Sequence, residues 1–346
     1  MRDPRARRAL MLWSALALVV LAGGCQQPQV RLSPTERADL GRRARDLLLR
    51  ATDSPDDVVA AHAMEALVDV DPAAGLPAFR QALQAPGPLK RYAGLVSLGR
   101  LRDRDSAAVY QRLTADTSPH VRLAAAFAAL RCGGSEQVYA PPLAVALVDE
   151  RDEEVRCTAA DLLGRLGERR AVRRLHAAEQ RESSPRVTVH LVAAQALLGD
   201  AAARDRLIGY TQGDQMSRII ALQTLRELGD QRAVEPLRDL LRTPASLEYY
   251  VPRLMAAQAL GRLGHKDGFE LALQIAEDRV RGAPDETERM KLRVNAALAL
   301  GAIGDDRALP ALQNLAQSDD ERVQVAACYA ILQVLRQRGD LRGLSR

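Results

Sequence analysis

Metal chemistry needs histidine, cysteine or carboxylate ligands gathered at helical or turn spacing. The chain has five histidines, His62, His120, His176, His190 and His265, and none lies four residues from another. No metal is expected. Carboxylates cluster at Asp152-Glu153-Glu154 and at Asp319-Asp320-Glu321, each time opening an apolar-periodic segment. Acids at that place complement a helix dipole and call for no catalytic role. Nucleophile elbows, phosphate loops and dinucleotide turns of the types G-x-S-x-G, G-x-x-x-x-G-K-[ST] and G-x-G-x-x-G are absent. Cys132, Cys157 and Cys328 fall where other segments carry small or apolar residues, which is how a buried small hydrophobe behaves. Cys132 and Cys157 belong to adjacent segments but to different places within them, which argues against a disulfide. These residues predict no catalytic site, no cofactor and no enzymatic role.

Two features point instead to contacts. An arginine recurs just after the residue that opens each apolar segment, at Arg91, Arg122, Arg156, Arg218, Arg253 and Arg293. Its expected task is structural, an inter-repeat ladder of hydrogen bonds to neighbouring acids and carbonyls. Tyr249 and Tyr250 stand in a longer loop of a chain with only 3% aromatic residues. Tyrosine is enriched at interface hot spots, so this pair is the candidate partner-binding site.

The elements that carry these residues repeat. In Asp152 to Leu175, Val155, Ala159, Leu162, Leu163 and Leu166 share one helix face. Gly167 supplies a left-handed stop, and Ala171, Val172 and Leu175 open a second amphipathic helix. The stop recurs at Gly133, Gly199, Gly229, Gly264 and Gly304, with Arg102 in the same place one unit earlier, in steps of 30 to 40 residues. Segments 55–70 and 321–335 flank the set with two less regular units. One hairpin cannot bury its own apolar faces, so copies must stack.

The shape D-x-x-V-R-x-x-A-A-x-x-L-G-x-[LI]-G-D-x-R-A-[VL]-x-x-L, spread over roughly residues 55–335, resembles HEAT-like repeats of the phycobilisome-lyase sub-type. Thr188 in place of the arginine and Arg102 in place of one glycine depart from it. The resemblance implies an all-α, right-handed α-solenoid of about eight to nine two-helix repeats, with second helices lining a concave surface. It carries no catalytic residue onto this chain. The iron-binding His-Glu pairs of HEAT-repeat hydroxylases have no counterpart, since no histidine here precedes a glutamate.

Residues 1–24 read as an export signal, with Arg2, Arg5, Arg7 and Arg8 ahead of an apolar run from Ala9 to Leu21. That run is short for a membrane span of about 20 residues. Leu-Ala-Gly-Gly-Cys at 21–25 looks like a bacterial lipobox, which makes Cys25 the lipidation site. Gln26 after it favours the outer membrane, facing the periplasm. Residues 25–33 form a tether and 34–54 an N-terminal capping helix opened by Ser33-Pro34-Thr35-Glu36; residues 55–346 form the solenoid.

The formal charge of +5 falls to +2 once residues 1–24, with four arginines and one aspartate, are set aside. That balance gives no electrostatic case for nucleic acid. The expected function is a membrane-anchored envelope scaffold that binds envelope proteins through its repeat surface. The alternative is an enzyme or enzyme accessory of the phycobilisome-lyase-like type, and a nucleic-acid reader comes last.

Overall fold

A computed structural model describes residues 32–244, 247–279, 285–337 and 339. Cys25, the signal segment and most of the tether lie outside the described residues, as do 280–284 of the longest insertion. Among the described residues the fold is all-helical, an α-solenoid of two-helix repeats with no strand. No helix there is long and apolar enough to cross a membrane.

The helices alternate between two kinds. The first helices are α2 (Asp57–Val70), α4 (Pro88–Leu101), α6 (Pro119–Arg131), α8 (Glu153–Leu166), α10 (Pro185–Leu197), α12 (Gln215–Leu228), α14 (Leu247–Arg262), α16 (Glu286–Ile303) and α18 (Glu321–Gln337). The second helices are α3 (Pro72–Ala82), α5 (Ala107–Leu113), α7 (Glu136–Asp149), α9 (Val172–Glu179), α11 (Ala201–Tyr210), α13 (Val234–Arg242), α15 (Phe269–Ala276) and α17 (Leu309–Leu315). Preceding them all is α1 (Pro34–Ala51). Asp152, Asp214 and Asp285 each cap a first helix by accepting backbone N–H bonds at its start. Gly167 ends α8 at φ 79°, and Arg102 ends α4 at φ 57° in the same left-handed region. A side chain there costs roughly 1–2 kcal/mol.

Each first helix packs on the first helix before it and the one after it. The approach is closest after the helices with glycine three residues before the stop: Gly99, Gly164, Gly261 and Gly301. A Cβ on Gly164 would lie 2.9 Å from the Ala194 Cα, and one on Gly301 would lie 2.6 Å from the Ala330 Cα. Only hydrogen fits there, so backbones touch.

The array then meets itself. Helix α18 packs on α16 and also on α2, and α1 fills the outer position between α18 and α2. Its Leu40, Ala44 and Leu48 are buried. The Ser33–Glu36 capping box forms with both of its bonds, 3.3 Å to the Ser33 hydroxyl and 2.7 Å to the Glu36 carboxylate. Besides covering the first repeat, α1 thus supplies the ninth second helix. Polar bonds cross the closure: Ser54 Oγ donates to Glu321 Oε2 at 2.7 Å, Arg322 Nη2 to Asp56 Oδ2 at 2.9 Å, and Tyr329 Oη to Asp69 Oδ2 at 2.5 Å. Nine first helices therefore form the inner wall of a ring. The expectation that second helices line the concave side is corrected here. First helices carry the larger continuous apolar faces, so they pack on each other and turn their remaining side chains inward.

Candidate functional site

Toward the axis the first helices present polar side chains, and some reach helices that are not their neighbours. Arg165 on α8 pairs with Glu227 on α12 at 3.1 Å. Arg262 on α14 faces Asp69 on α2 at 3.7 Å, and the Tyr329 hydroxyl of α18 donates to the same carboxylate. His190 Nδ1 on α10 lies 2.8 Å from Asp161 Oδ1 on α8. Asp69, Arg165, Glu227 and Arg262 stand near the C-terminal ends of their helices, where the ring narrows enough for them to meet.

The electrostatics of this cluster favour bound protons. Burial works against charge on His190, but the Asp161 hydrogen bond and the neighbouring Cys157 outweigh it and hold the imidazole up to about 10. Burial pushes the Tyr92 hydroxyl up to about 12, with the Asp161 and Glu65 carboxylates adding to the rise and Arg165 opposing it. Tyr329 is raised by burial and by Asp69. Arg165 keeps its charge against burial because Glu227 and Glu65 lie near. At neutral pH the wall offers an imidazolium, two guanidinium groups and two phenols as donors, interleaved with carboxylates. That set suits the recognition of a polar or anionic group and the donation of a hydrogen bond. Cys157, beside His190, is 4% exposed.

The residues singled out in the sequence lie elsewhere, in the N-terminal halves of first helices, and Tyr249 and Tyr250 stand in the first turn of α14 rather than in the expected loop. Arg91 donates from Nη1 to the Ala85 and Pro86 carbonyls at 2.8 and 2.7 Å and from Nε to Asp116 at 2.9 Å. Arg156 repeats this with Glu150, Arg151 and Glu182. Arg122 and Arg218 also reach the carbonyls of the preceding loop, while Arg293 pairs with Asp278 and Glu286. Arg253 bonds to the Leu241 carbonyl. Tyr249 and Tyr250 lie against this ladder, the Arg218 guanidinium 5.0 Å from the first ring and Arg253 5.8 Å from the second. Both tyrosines are partly buried, so the ladder takes up part of the surface they offer. Cys132, Cys157 and Cys328 are free thiols, and Cys132 lies 3.3 Å from the Asp103 carbonyl. Among the described residues no three potential metal ligands come together.

Residues 44–131 and 286–342 match the model for HEAT repeats, and residues 217–243 match that for the PBS lyase HEAT-like repeat. The chain is 33% identical over 199 residues to phycocyanobilin lyase subunit alpha of Nostoc sp., an alignment that covers 56% of this chain and 62% of that relative's length. Two solved structures match the chain at 18% identity. Human deoxyhypusine hydroxylase in complex with glycerol covers 88% of this chain over its whole length, with a TM-score of 0.37. The CpcE–CpcF complex of phycocyanin lyase from Nostoc sp. covers 78% of this chain over 96% of its own, with a TM-score of 0.39. The relationship to a lyase subunit corrects the expectation of no enzymatic role: it points to a lyase-type enzyme or accessory. Catalytic motifs gave no sign of this, and the candidate residues of the axial cluster are spread one or two to a helix. Three stretches of the chain, residues 44–131, 217–243 and 286–342, are thus similar to HEAT-type repeats, the middle one to the PBS lyase type.

Proposed function

We propose that the chain is a subunit or accessory of a lyase-type enzyme and that the axial cluster is its working site. The observation that carries this reading is the identity to phycocyanobilin lyase subunit alpha. The cluster adds a place where a polar or anionic substrate group would be held, with Arg165 and Arg262 as cationic seats and His190 and Tyr92 as hydrogen-bond donors. The raised titration of His190 and Tyr92 is of a kind that clusters at functional sites. In this reading the repeat scaffold positions a substrate or acceptor protein at the mouth of the ring.

The test is co-expression with a bilin pathway, a phycobiliprotein acceptor and a second lyase subunit, followed by absorbance and fluorescence of the acceptor after denaturation. Covalently coloured acceptor that depends on the chain, and that falls when Arg165 is changed to Met, supports the reading. Uncoloured acceptor with a folded chain, across several acceptors and partner subunits, overturns it.

Location is a separate part of the proposal. Lipid on Cys25 would hold the ring at the periplasmic face of the outer membrane, next to envelope partners. What supports it is the basic, apolar and small-residue order of residues 1–25. Two acyl chains would anchor stably, at about 0.8 kcal/mol per buried methylene. Intact mass and fractionation of the native chain beside Cys25→Ser decide it, and an unmodified full-length chain in the cytosol would rule it out.

A further inference from the structure

In the arginine ladder Nη1 of both Arg218 and Arg253 is buried without an acceptor, but Arg218 keeps two backbone carbonyls and Arg253 only one. Arg91, Arg122, Arg156 and Arg218 are each the fourth residue of their helix, so their guanidinium groups reach back to loop carbonyls. Insertions lengthen α14 and α16 at their N-terminal ends, which places Arg253 and Arg293 deeper in their helices. The loop carbonyls are then out of reach. Arg293 compensates with the carboxylates of Asp278 and Glu286. Arg253 does not. Among the described residues it has one hydrogen bond, Nε to the Leu241 carbonyl at 3.1 Å, and the ring of Tyr250. Its Nη1 is buried without an acceptor. A buried guanidinium lacking acceptors and a counter-charge is costly.

Arg253 borders a cavity of about 370 Å³ between α13, α14 and α15. Leu241, Phe269 and Leu271 give it apolar wall, and Lys266, Glu270 and Arg307 also line it. Arg307 is tied to Asp305 and Glu270 and lies over the Phe269 ring at 4.3 Å. Lys266 is 68% exposed and reaches Asp305 at 3.0 Å. Among the described residues Arg253 is thus the cation of this cavity without a carboxylate partner.

We infer that this cavity is a binding site for a small amphipathic carboxylate, whose head group pairs with Arg253 and whose apolar body lies along Phe269, Leu241 and Leu271. The ligand supplies the acid that Asp278 and Glu286 supply to Arg293. A bidentate guanidinium–carboxylate pair gives direction as well as charge, and the volume lies within the range of small-ligand pockets. The site is on the outer side of the ring, apart from the axial cluster, so it stands whether or not the lyase reading holds.

The test is calorimetric titration of the full chain with 4-phenylbutyrate, 4-phenylbutanol and inorganic phosphate. Saturable binding of 4-phenylbutyrate is expected, with the alcohol weaker by roughly tenfold or more because it lacks the charge-assisted hydrogen bond, and phosphate weaker by roughly tenfold or more because it lacks the apolar body. Arg253→Met abolishes binding and leaves the Tm near that of the native chain, while Arg112→Met on α5 leaves binding intact. Leu271→Asp places a carboxylate in the cavity and also abolishes binding, which keeps the test decisive if Arg253→Met folds poorly. Equal affinity for the alcohol, equal affinity for phosphate, binding that survives Leu271→Asp, or no saturable binding by the native chain overturns the inference.

Discussion

Two seams of the ring are built on different physics. Between α16 and α18, Gly301 lets backbones touch, and the interface is mainly close-packed carbon, with Gln337 Nε2 donating to the Gly301 and Ala302 carbonyls at 3.4 and 3.3 Å. Between α18 and α2, where the chain closes, contact is carried by Ser54–Glu321, Asp56–Arg322 and Asp69–Tyr329, with α1 laid over the outside. Beside this closure lies a cavity of about 180 Å³ bordered by Leu47, Arg50, Ser54, Glu321, Gln324 and Val325. Tight seams join helices adjacent in the chain. The closing seam joins helices about 260 residues apart and relies on directional polar bonds to fix which faces meet. Van der Waals packing stabilises, and hydrogen bonds set register.

The largest effect should come from deleting residues 1–53. That removes α1 and bares the apolar face under Leu40, Ala44 and Leu48, where single Leu→Ala changes alone cost about 2–5 kcal/mol. Loss of cooperative unfolding, with an enlarged radius of gyration in X-ray scattering, is expected. A truncated chain with native Tm would show that the closure needs no ninth second helix. Next comes Gly301→Val, whose Cβ would lie 2.6 Å from the Ala330 Cα. Urea unfolding should show a loss of about 3 kcal/mol, and a neutral result would mean that this seam is looser than its backbone spacing.

The two kinds of seam also respond to opposite ends of the pH scale. In the glycine-packed seam of α8 and α10, His190 is raised to about 10. Its contribution is full below the ordinary histidine value and is lost as pH rises through about 10. The Tm difference between the native chain and His190→Gln should therefore shrink across that alkaline range. At the closure, hydrogen bonding to Arg322 and to the Val58 N–H holds the Asp56 carboxyl below its ordinary range. That contribution is present above the ordinary carboxylate range and fades as the medium turns acid. Smallest of all, Arg322→Gln should leave the Tm within error of native at neutral pH, because exposed pairs contribute little. A large drop would mark Arg322 as a latch.

Much of this architecture was legible in residue order. Apolar spacing located the first helices, the glycine stops located their ends, and Arg102 was recognisable as a stop without glycine. Ser33 and Glu36 announced α1. Its second partner α18 was not legible, because every repeat carries a similar apolar face and local pattern does not say which two faces at the chain ends will meet. The axial cluster was missed for a related reason. Asp69, Arg165, Glu227 and Arg262 read singly as solvated residues at helix ends, where charge is ordinary. Their shared register, two residues before the stop in Arg165, Glu227 and Arg262, was the available signal, and only ring closure turns that register into proximity.

Closure also sets a rule for how this molecule can change. An open stack of hairpins can gain or lose a unit at either end and still bury its faces, so duplication and deletion are mild events. A ring of nine has a fixed circumference, and removing one hairpin would pull α1 and α18 away from α2 by the width of a helix. Length variation is thereby pushed to the junctions ahead of first helices, as at α14 and α16, whose N-terminal ends are extended without touching the count. The helix that completes the circle makes the number of repeats a conserved quantity of the fold.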